Sequence, residues 1–270
     1  MKKMTINEIQ KRELELLKAF DSVARKYKIK YSLCAGTLLG AVRHKGFIPW
    51  DDDIDISVPR PDYERLIRLN RKKDLWPPHI KLSCFEDGTL DAPFMKIFDI
   101  NTKIKEDNFK QNDVKHLWID VFPVDGLPAD KRRLRLLYHI ALNLCRLNVA
   151  SVVNNGYGSS KAVILIKDLF MKPFSNLVGR KNISKLQKKL AYLHPYKSSK
   201  FCGMVTWAYD GPGQALTKKE YETLVELPFE GYRFFAMSAW DKNLRGIFGD
   251  YMKLPPENER ITHNLEAYSL

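Results

Sequence analysis

An α+β fold is expected for this chain of 270 residues, on three grounds. The first half mixes segments of helical and strand periodicity, the middle reads as helices, and no repeat or low-complexity linker interrupts them. With 44% hydrophobic and 29% charged residues, the composition supports a packed core and excludes a disordered chain.

Thr5-Ile6-Asn7-Glu8 has the form of a capping box ahead of a helical pattern through Leu14, Leu17, Phe20 and Val23. Ile29–Cys34 reads as a short strand, and Gly36–Arg43 as a turn and helix that Pro49 stops. Ile54–Val58 alternates as a half-buried strand, and Pro61–Leu69 reads as a helix opening on proline. Strands are expected at Ile80–Phe85, Phe94–Phe98 and Leu117–Phe122, helices from about Asp130, and an aromatic-rich, irregular part from Phe201. Cys34, Cys84, Cys145 and Cys202 are far apart with no CxxC pair, which suggests reduced thiols. The start of the chain carries charge without an apolar run behind it, so no secretory signal is expected, nor is any bilayer-spanning stretch.

The net charge of +13 has one source. Residues 131–200 hold 15 Lys and Arg against a single acid, Asp168, whereas the rest of the chain is balanced to within one charge. Leu134, Leu136, Leu137, Ile140, Leu144 and Leu147 recur there at helical spacing, and Ile164, Leu165, Leu169 and Phe170 suggest a further helix. Basic amphipathic helices serve an anionic membrane surface, serve nucleic acid, or present a solvated lysine face. No nucleic-acid-binding motif accompanies these, so no nucleic-acid partner is expected.

The acidic run Trp50-Asp51-Asp52-Asp53-Ile54-Asp55-Ile56 carries the most chemistry. In a strand, Asp51, Asp53 and Asp55 project to one side, and such like charges repel unless a cation sits among them. Oxygen-only ligands suit Mg²⁺ or Mn²⁺. Asp120, embedded in Trp118-Ile119-Asp120-Val121-Phe122, is the expected further ligand from a neighbouring strand. A plain acidic surface turn and a satisfied buried carboxylate are the structural alternatives. Upstream, Gly36 and Thr37 stand where a strand-to-helix turn would approach a phosphate, followed by the cations Arg43, His44 and Lys45, for which C-terminal helix capping is the alternative.

Gly36 to Asp55, a run of 20 residues, resembles the signature of the LicD family, a bacterial branch of the polymerase-β-type nucleotidyltransferase superfamily related to the fukutin-type transferases. The likeness continues at Trp118–Gly126, Leu227–Gly231 and Gly249–Pro256. It implies a mixed nucleotidyltransferase sheet flanked by helices, with a basic helical insertion. It also implies transfer of phosphocholine from CDP-choline to a sugar hydroxyl of a lipid-linked teichoic acid or other cell-surface glycan precursor, at the cytoplasmic face of the membrane. By that resemblance Asp53 and Asp55 match the metal-binding pair, Asp120 the third carboxylate, and Gly36 with Thr37 the phosphate turn. Thr37 departs from the superfamily's usual Gly or Ser, and the gap from it to Asp53 is longer than usual. Met237, ahead of Trp240-Asp241, stands where the family often has proline.

The expected organisation is a catalytic core over 1–128, a basic amphipathic helical region over 129–200, and a part over 201–270 that packs back on the core. Lys96, Arg43 and His44 are candidate phosphate contacts, with a solvent-facing lysine as the alternative for Lys96. His263 resembles a recurrent family feature. The quaternary ammonium of choline calls for aromatic faces, and Trp50 and Trp118 lie next to the carboxylate motifs. The competing readings are nucleotide transfer from a triphosphate, transfer of glycerol or ribitol phosphate on the same fold, and a non-enzymatic glycan- or choline-binding module.

Overall fold

The structure is a computed structural model that describes residues 1–105, 115–156, 158, 160–257, 260 and 265–270. After a two-residue strand, β1 (Lys2–Lys3), Thr5 opens α1 (Ile6–Tyr27) with the expected capping box. The Thr5 N–H donates to Glu8 Oε2 at 2.8 Å, and the Glu8 N–H donates back to Thr5 Oγ1. Lys28 ends the helix in the left-handed conformation, φ 53°. The buried stripe of α1 runs through Ile9, Glu13, Leu16, Leu17, Phe20 and Val23, at the spacing of one helical face.

The central sheet is assembled next. Its members are β2 (Ser32–Leu33), β3 (Asp55–Pro59), β4 (Ile80–Ser83), β5 (Met95–Asp99) and β7 (Leu117–Leu127), in the order β2-β3-β7-β5-β4. β3 and β7 run parallel; the other pairs are antiparallel. Between β2 and β3 lies α2 (Ala35–Arg43), and α3 (Arg60–Leu69) follows β3 directly. β6 (Thr102–Lys105) leaves the sheet and pairs with a C-terminal strand.

α2 ends at Arg43, as expected, and the chain then folds back on the helix: a Cβ at Gly40 would stand 2.5 Å from the carbonyl of Gly46. One boundary moves for a physical reason. β7 continues past Phe122 to Leu127, because its second half acquires a partner of its own in β8 (Phe201–Gly203), which also pairs with β9 (Leu216–Thr217).

Asp130 caps α4 (Lys131–Val152), accepting from the Arg133 N–H at 2.9 Å. α5 (Lys161–Ile166), a π-helical turn (Lys167–Met171) and α6 (Lys172–Val178) then form one helical stretch, and α7 (Arg180–Ala191) follows. Pro173 explains the π turn: it has no N–H, and its ring would clash with the carbonyl four residues back in a continuous α-helix. The C-terminal part consists of short elements: α8 (Lys218–Glu222), the hairpin β10 (Leu224–Phe229) and β11 (Tyr232–Met237), α9 (Trp240–Phe248), and β12 (Glu266–Ser269), which lies between β1 and β6.

The main core gathers side chains from α1, the sheet and the C-terminal hairpin, including Phe20, Tyr31, Ile54, Ile56, Val121, Phe229 and Phe234. A smaller core joins Leu137, Tyr138, Ala141 and Cys145 of α4 to Ala191, Val205 and Ala208. The four cysteines are free and buried. Among the described residues no helix is long and apolar enough to cross a membrane. The mixed sheet flanked by helices is that of a nucleotidyltransferase-like α+β fold.

Candidate active site

Strand pairing, not sequence distance, brings the two key aspartates together. Asp55 opens β3 and stands in parallel register with Asp120 on β7. On the other side of β7, Lys96 of β5 stands in register with Asp120, and its ammonium reaches Asp120 Oδ1 at 2.6 Å. The indole N–H of Trp118 donates to Asp120 Oδ2 at 3.0 Å, and the Lys96 Nζ lies 4.2 Å from the centre of the Trp118 ring. The Asp55 N–H donates to Thr37 Oγ1 at 2.8 Å, which ties the first turn of α2 to the head of β3. Burial pushes the Asp55 carboxyl well above the usual carboxylate range, and Asp53, Asp120, Asp51 and Asp210 push it further by repulsion.

The acidic run departs from expectation in one respect. Asp51 and Asp53 do not share a strand face with Asp55, because the ladder begins only at Asp55. Trp50 and Asp51 lie in a turn closed by the Asp51 N–H donating to the Ile48 carbonyl at 2.9 Å, and the chain from Asp52 leads into the strand, the Ile54 carbonyl accepting from the Asp120 N–H at 2.9 Å. Asp52, rather than its neighbours, is the buried member of the run. Asp51 sits instead over the start of α2: a Cβ on Gly36 would meet its Oδ2 at 2.8 Å. Only glycine permits that approach, and the positive end of the helix favours the carboxylate there. Just before it, Ala35 holds a left-handed φ of 47°, local strain of the kind that collects at functional turns.

The remaining candidates fall into separate groups. Arg43 and His44 lie at the opposite end of α2 from Gly36, about 10 Å along the helix axis. The Arg43 guanidinium is engaged, donating to His44 Nε2 at 2.9 Å and to the Tyr251 carbonyl at 2.8 Å. Burial lowers the pKa of Arg43, and burial together with Arg43 lowers that of His44. Trp50 stacks edge-on to His44 at 6.4 Å and has Arg260 over its face at 5.1 Å. Lys96 is not a solvent-facing lysine; it is 7% exposed, because β5 is covered on both faces. His263 lies outside the described residues.

Two acidic residues join the site that the sequence reading did not single out. Glu13, on the buried stripe of α1, is 1% exposed, and its Oε2 has no hydrogen-bond partner among the described residues. Burial raises its pKa strongly, and repulsion from Asp53, Asp52, Asp51 and Asp55 adds to the effect. Its position in the i, i+4 series from Ile9 was the available signal. Asp210 has a buried Oδ2 with no hydrogen-bond partner among the described residues, and burial pushes its pKa up to about 6. It follows an aromatic cluster in which Trp207 stacks on Phe122 at 5.5 Å and contacts Phe94 and Tyr209. Phe122 is two residues from Asp120 and thus on the same face of β7.

A divalent ion has suitable donors here, since the residues that repel one another around Asp55 offer only carboxylate oxygens, the ligands of hard cations. As they stand, no three His, Cys, Asp or Glu side chains among the described residues close into a set able to hold a metal.

Residues 28–129 match the family described as LicD/FKTN/FKRP, nucleotidyltransferase domain. Along its whole length the chain is 33% identical to the whole of the lipopolysaccharide cholinephosphotransferase LicD of Haemophilus influenzae. Over 48 residues, 18% of the chain, it is 50% identical to uncharacterized proteins of Rickettsia prowazekii and Rickettsia typhi, covering 18% and 16% of those proteins. With end-to-end similarity to a cholinephosphotransferase and the nucleotidyltransferase domain in place, the chain belongs to the LicD family of transferases.

Proposed function

We propose that the protein transfers phosphocholine from CDP-choline to a sugar hydroxyl of a lipid-linked glycan precursor, a teichoic acid or another cell-surface glycan, at the inner face of the cell membrane. The observation that carries this reading is the full-length similarity to a lipopolysaccharide cholinephosphotransferase, joined to the pairing of Asp55 with Asp120 at one end of the sheet.

In this reading the diphosphate of the donor rests on the first turn of α2, whose N-cap residue, Cys34, makes no side-chain cap hydrogen bond. Asp53, Asp55 and Asp120, with Asp51 alongside, would hold Mg²⁺ or Mn²⁺. A bound ion would neutralise charge developing on the diphosphate. Thr37 fixes the backbone of Asp55, and Lys96 with Trp118 fixes the carboxylate of Asp120. The acceptor hydroxyl attacks the phosphorus bearing choline and yields its proton to Asp120, that phosphorus parts from the bridging oxygen, and CMP leaves. Positioning and charge stabilisation supply most of the rate in such transfers. The aromatic faces near Asp120, Trp118 among them, supply the surface that a quaternary ammonium prefers.

The test is release of CMP from CDP-choline in the presence of Mg²⁺ and a lipid-linked oligosaccharide. Asp55→Asn is expected to abolish release while leaving the fold intact. Normal turnover by that variant sinks the assignment, and release from CDP-glycerol or CDP-ribitol but not CDP-choline reassigns the transferred group.

A further inference from the structure

The helical stretch from Lys161 to Val178 is built inside out. Its buried positions are polar: Lys167, Lys172 and Ser175. The Lys167 ammonium donates to the Asn154 carbonyl at 3.0 Å, and that of Lys172 donates to the Val153 carbonyl at 2.9 Å and to Asn155 Oδ1. Ser175 donates to the Leu147 and Met171 carbonyls. Its outward positions are apolar: Val163, Ile166, Leu169, Phe170, Phe174 and Leu177 are all exposed, Phe170 at 69% and Leu177 at 85%. They recur at intervals of three and four residues, so they form one continuous stripe. The neighbouring helix α4 adds exposed Leu136 and Ile140.

Soluble chains turn the apolar side of a helix inward, so a reversed helix needs an apolar medium outside it. Charge identifies that medium. The apolar stripe is set in the segment of 15 basic residues and one acid. A second copy docking face to face would bring two such segments together, and their like charges would oppose it. An anionic bilayer satisfies both demands at once, its acyl region taking the stripe and its headgroups the lysines and arginines.

We propose that Lys161–Val178 is an in-plane membrane element, about 27 Å long, that seats its outer face in the headgroup–acyl boundary of an anionic leaflet. The proposal deepens the membrane part of the reading above but rests on the helix alone, not on the chemistry. The two buried lysines fasten the element to the loop after α4, so that the catalytic fold is held against the surface where a lipid-linked acceptor resides.

The experiment is co-sedimentation of the full chain with vesicles of mixed phosphatidylglycerol and phosphatidylcholine, and with phosphatidylcholine alone. Binding is expected to the anionic vesicles at low salt and to weaken as salt rises. Phe170→Glu combined with Leu177→Glu is expected to lower it at least about tenfold with unchanged circular dichroism. Release of CMP with a soluble sugar acceptor should be the same in both proteins, which separates this proposal from the assignment of the reaction. Absence of binding to anionic vesicles at low salt overturns the proposal. So does equal binding by the double variant, or a lipid-free dimer that the same substitutions split.

Discussion

Two aspartates lie inside the apolar strand β7, and the one away from the site, Asp125, should respond to mutation in the opposite way to the site's Asp55. Asp125 is 1% exposed and pairs with Arg60, itself 5% exposed, through two hydrogen bonds: Nε to Oδ1 at 2.6 Å and NH2 to Oδ2 at 3.0 Å. Burial works against the Arg60 charge, but the Asp125 carboxylate outweighs it, so the guanidinium holds its proton more tightly than usual. In Asp125→Asn the amide NH₂ faces a guanidinium N–H, donor against donor, and the buried cation loses its counter-charge. Breaking such a pair costs about 3–5 kcal/mol. At roughly 2–4 °C per kcal/mol for a chain of this size, the melting temperature should fall on the order of 10 °C. Turnover measured well below the transition should be retained, because the pair joins the start of α3 to the distal half of β7, away from Asp120. Asp55→Asn should show the reverse, with turnover lost and melting unchanged or raised, since it removes a charge from a crowd of carboxylates. The double variant Arg60→Met with Asp125→Leu should recover most of the lost stability. Thermal melts and CMP release on the same preparations decide it. A melting temperature of Asp125→Asn within about 1 °C of the parent, or a double variant no better than the single, would refute the reasoning.

Gly36→Ala places a methyl group 2.8 Å from Asp51 Oδ2. The carboxylate can swing away, and alanine suits a helix better than glycine by about 1 kcal/mol, so melting should hold or rise while kcat/KM drops at least about tenfold; unaltered kinetics would remove Asp51 from the site. Asp210 tests the acid–base side. Its pKa lies above its ordinary 3.8, at about 6, so the fold favours the protonated form, and ionisation destabilises it increasingly as pH rises from about 4 to about 6. Asp210→Asn in EDTA should therefore melt higher than the parent at pH 8, by up to about 3 kcal/mol of stability, with little gain near pH 4. A gain independent of pH between those limits would show that Asp210 carries no such penalty.

How far the sequence reveals this site depends on which physical rule governs each residue. Asp55 and Asp120 are legible because each breaks an apolar alternation, and strand pairing then aligns them. Asp51 and Asp53 mislead because alternation holds only inside a ladder; the partner strand β2 spans just Ser32–Leu33, and the strand β3 begins only at Asp55. Lys96 is ambiguous because every residue of β5 is buried, and a strand covered on both faces has no polar side for the pattern to report. Glu13 was readable from the spacing of α1, whereas Asp210 was not, since its burial comes from packing between segments remote in sequence. The stretch from Lys161 to Val178 shows the deeper limit. Periodicity establishes that a helix has an apolar face, but only tertiary contacts decide which face the rest of the chain covers. Here they cover the lysines and leave Phe170, Phe174 and Leu177 outside. The usual inference from an apolar stripe to a core therefore fails at this element, and it fails where the surrounding charge supplies a physical reason for the stripe to face outward.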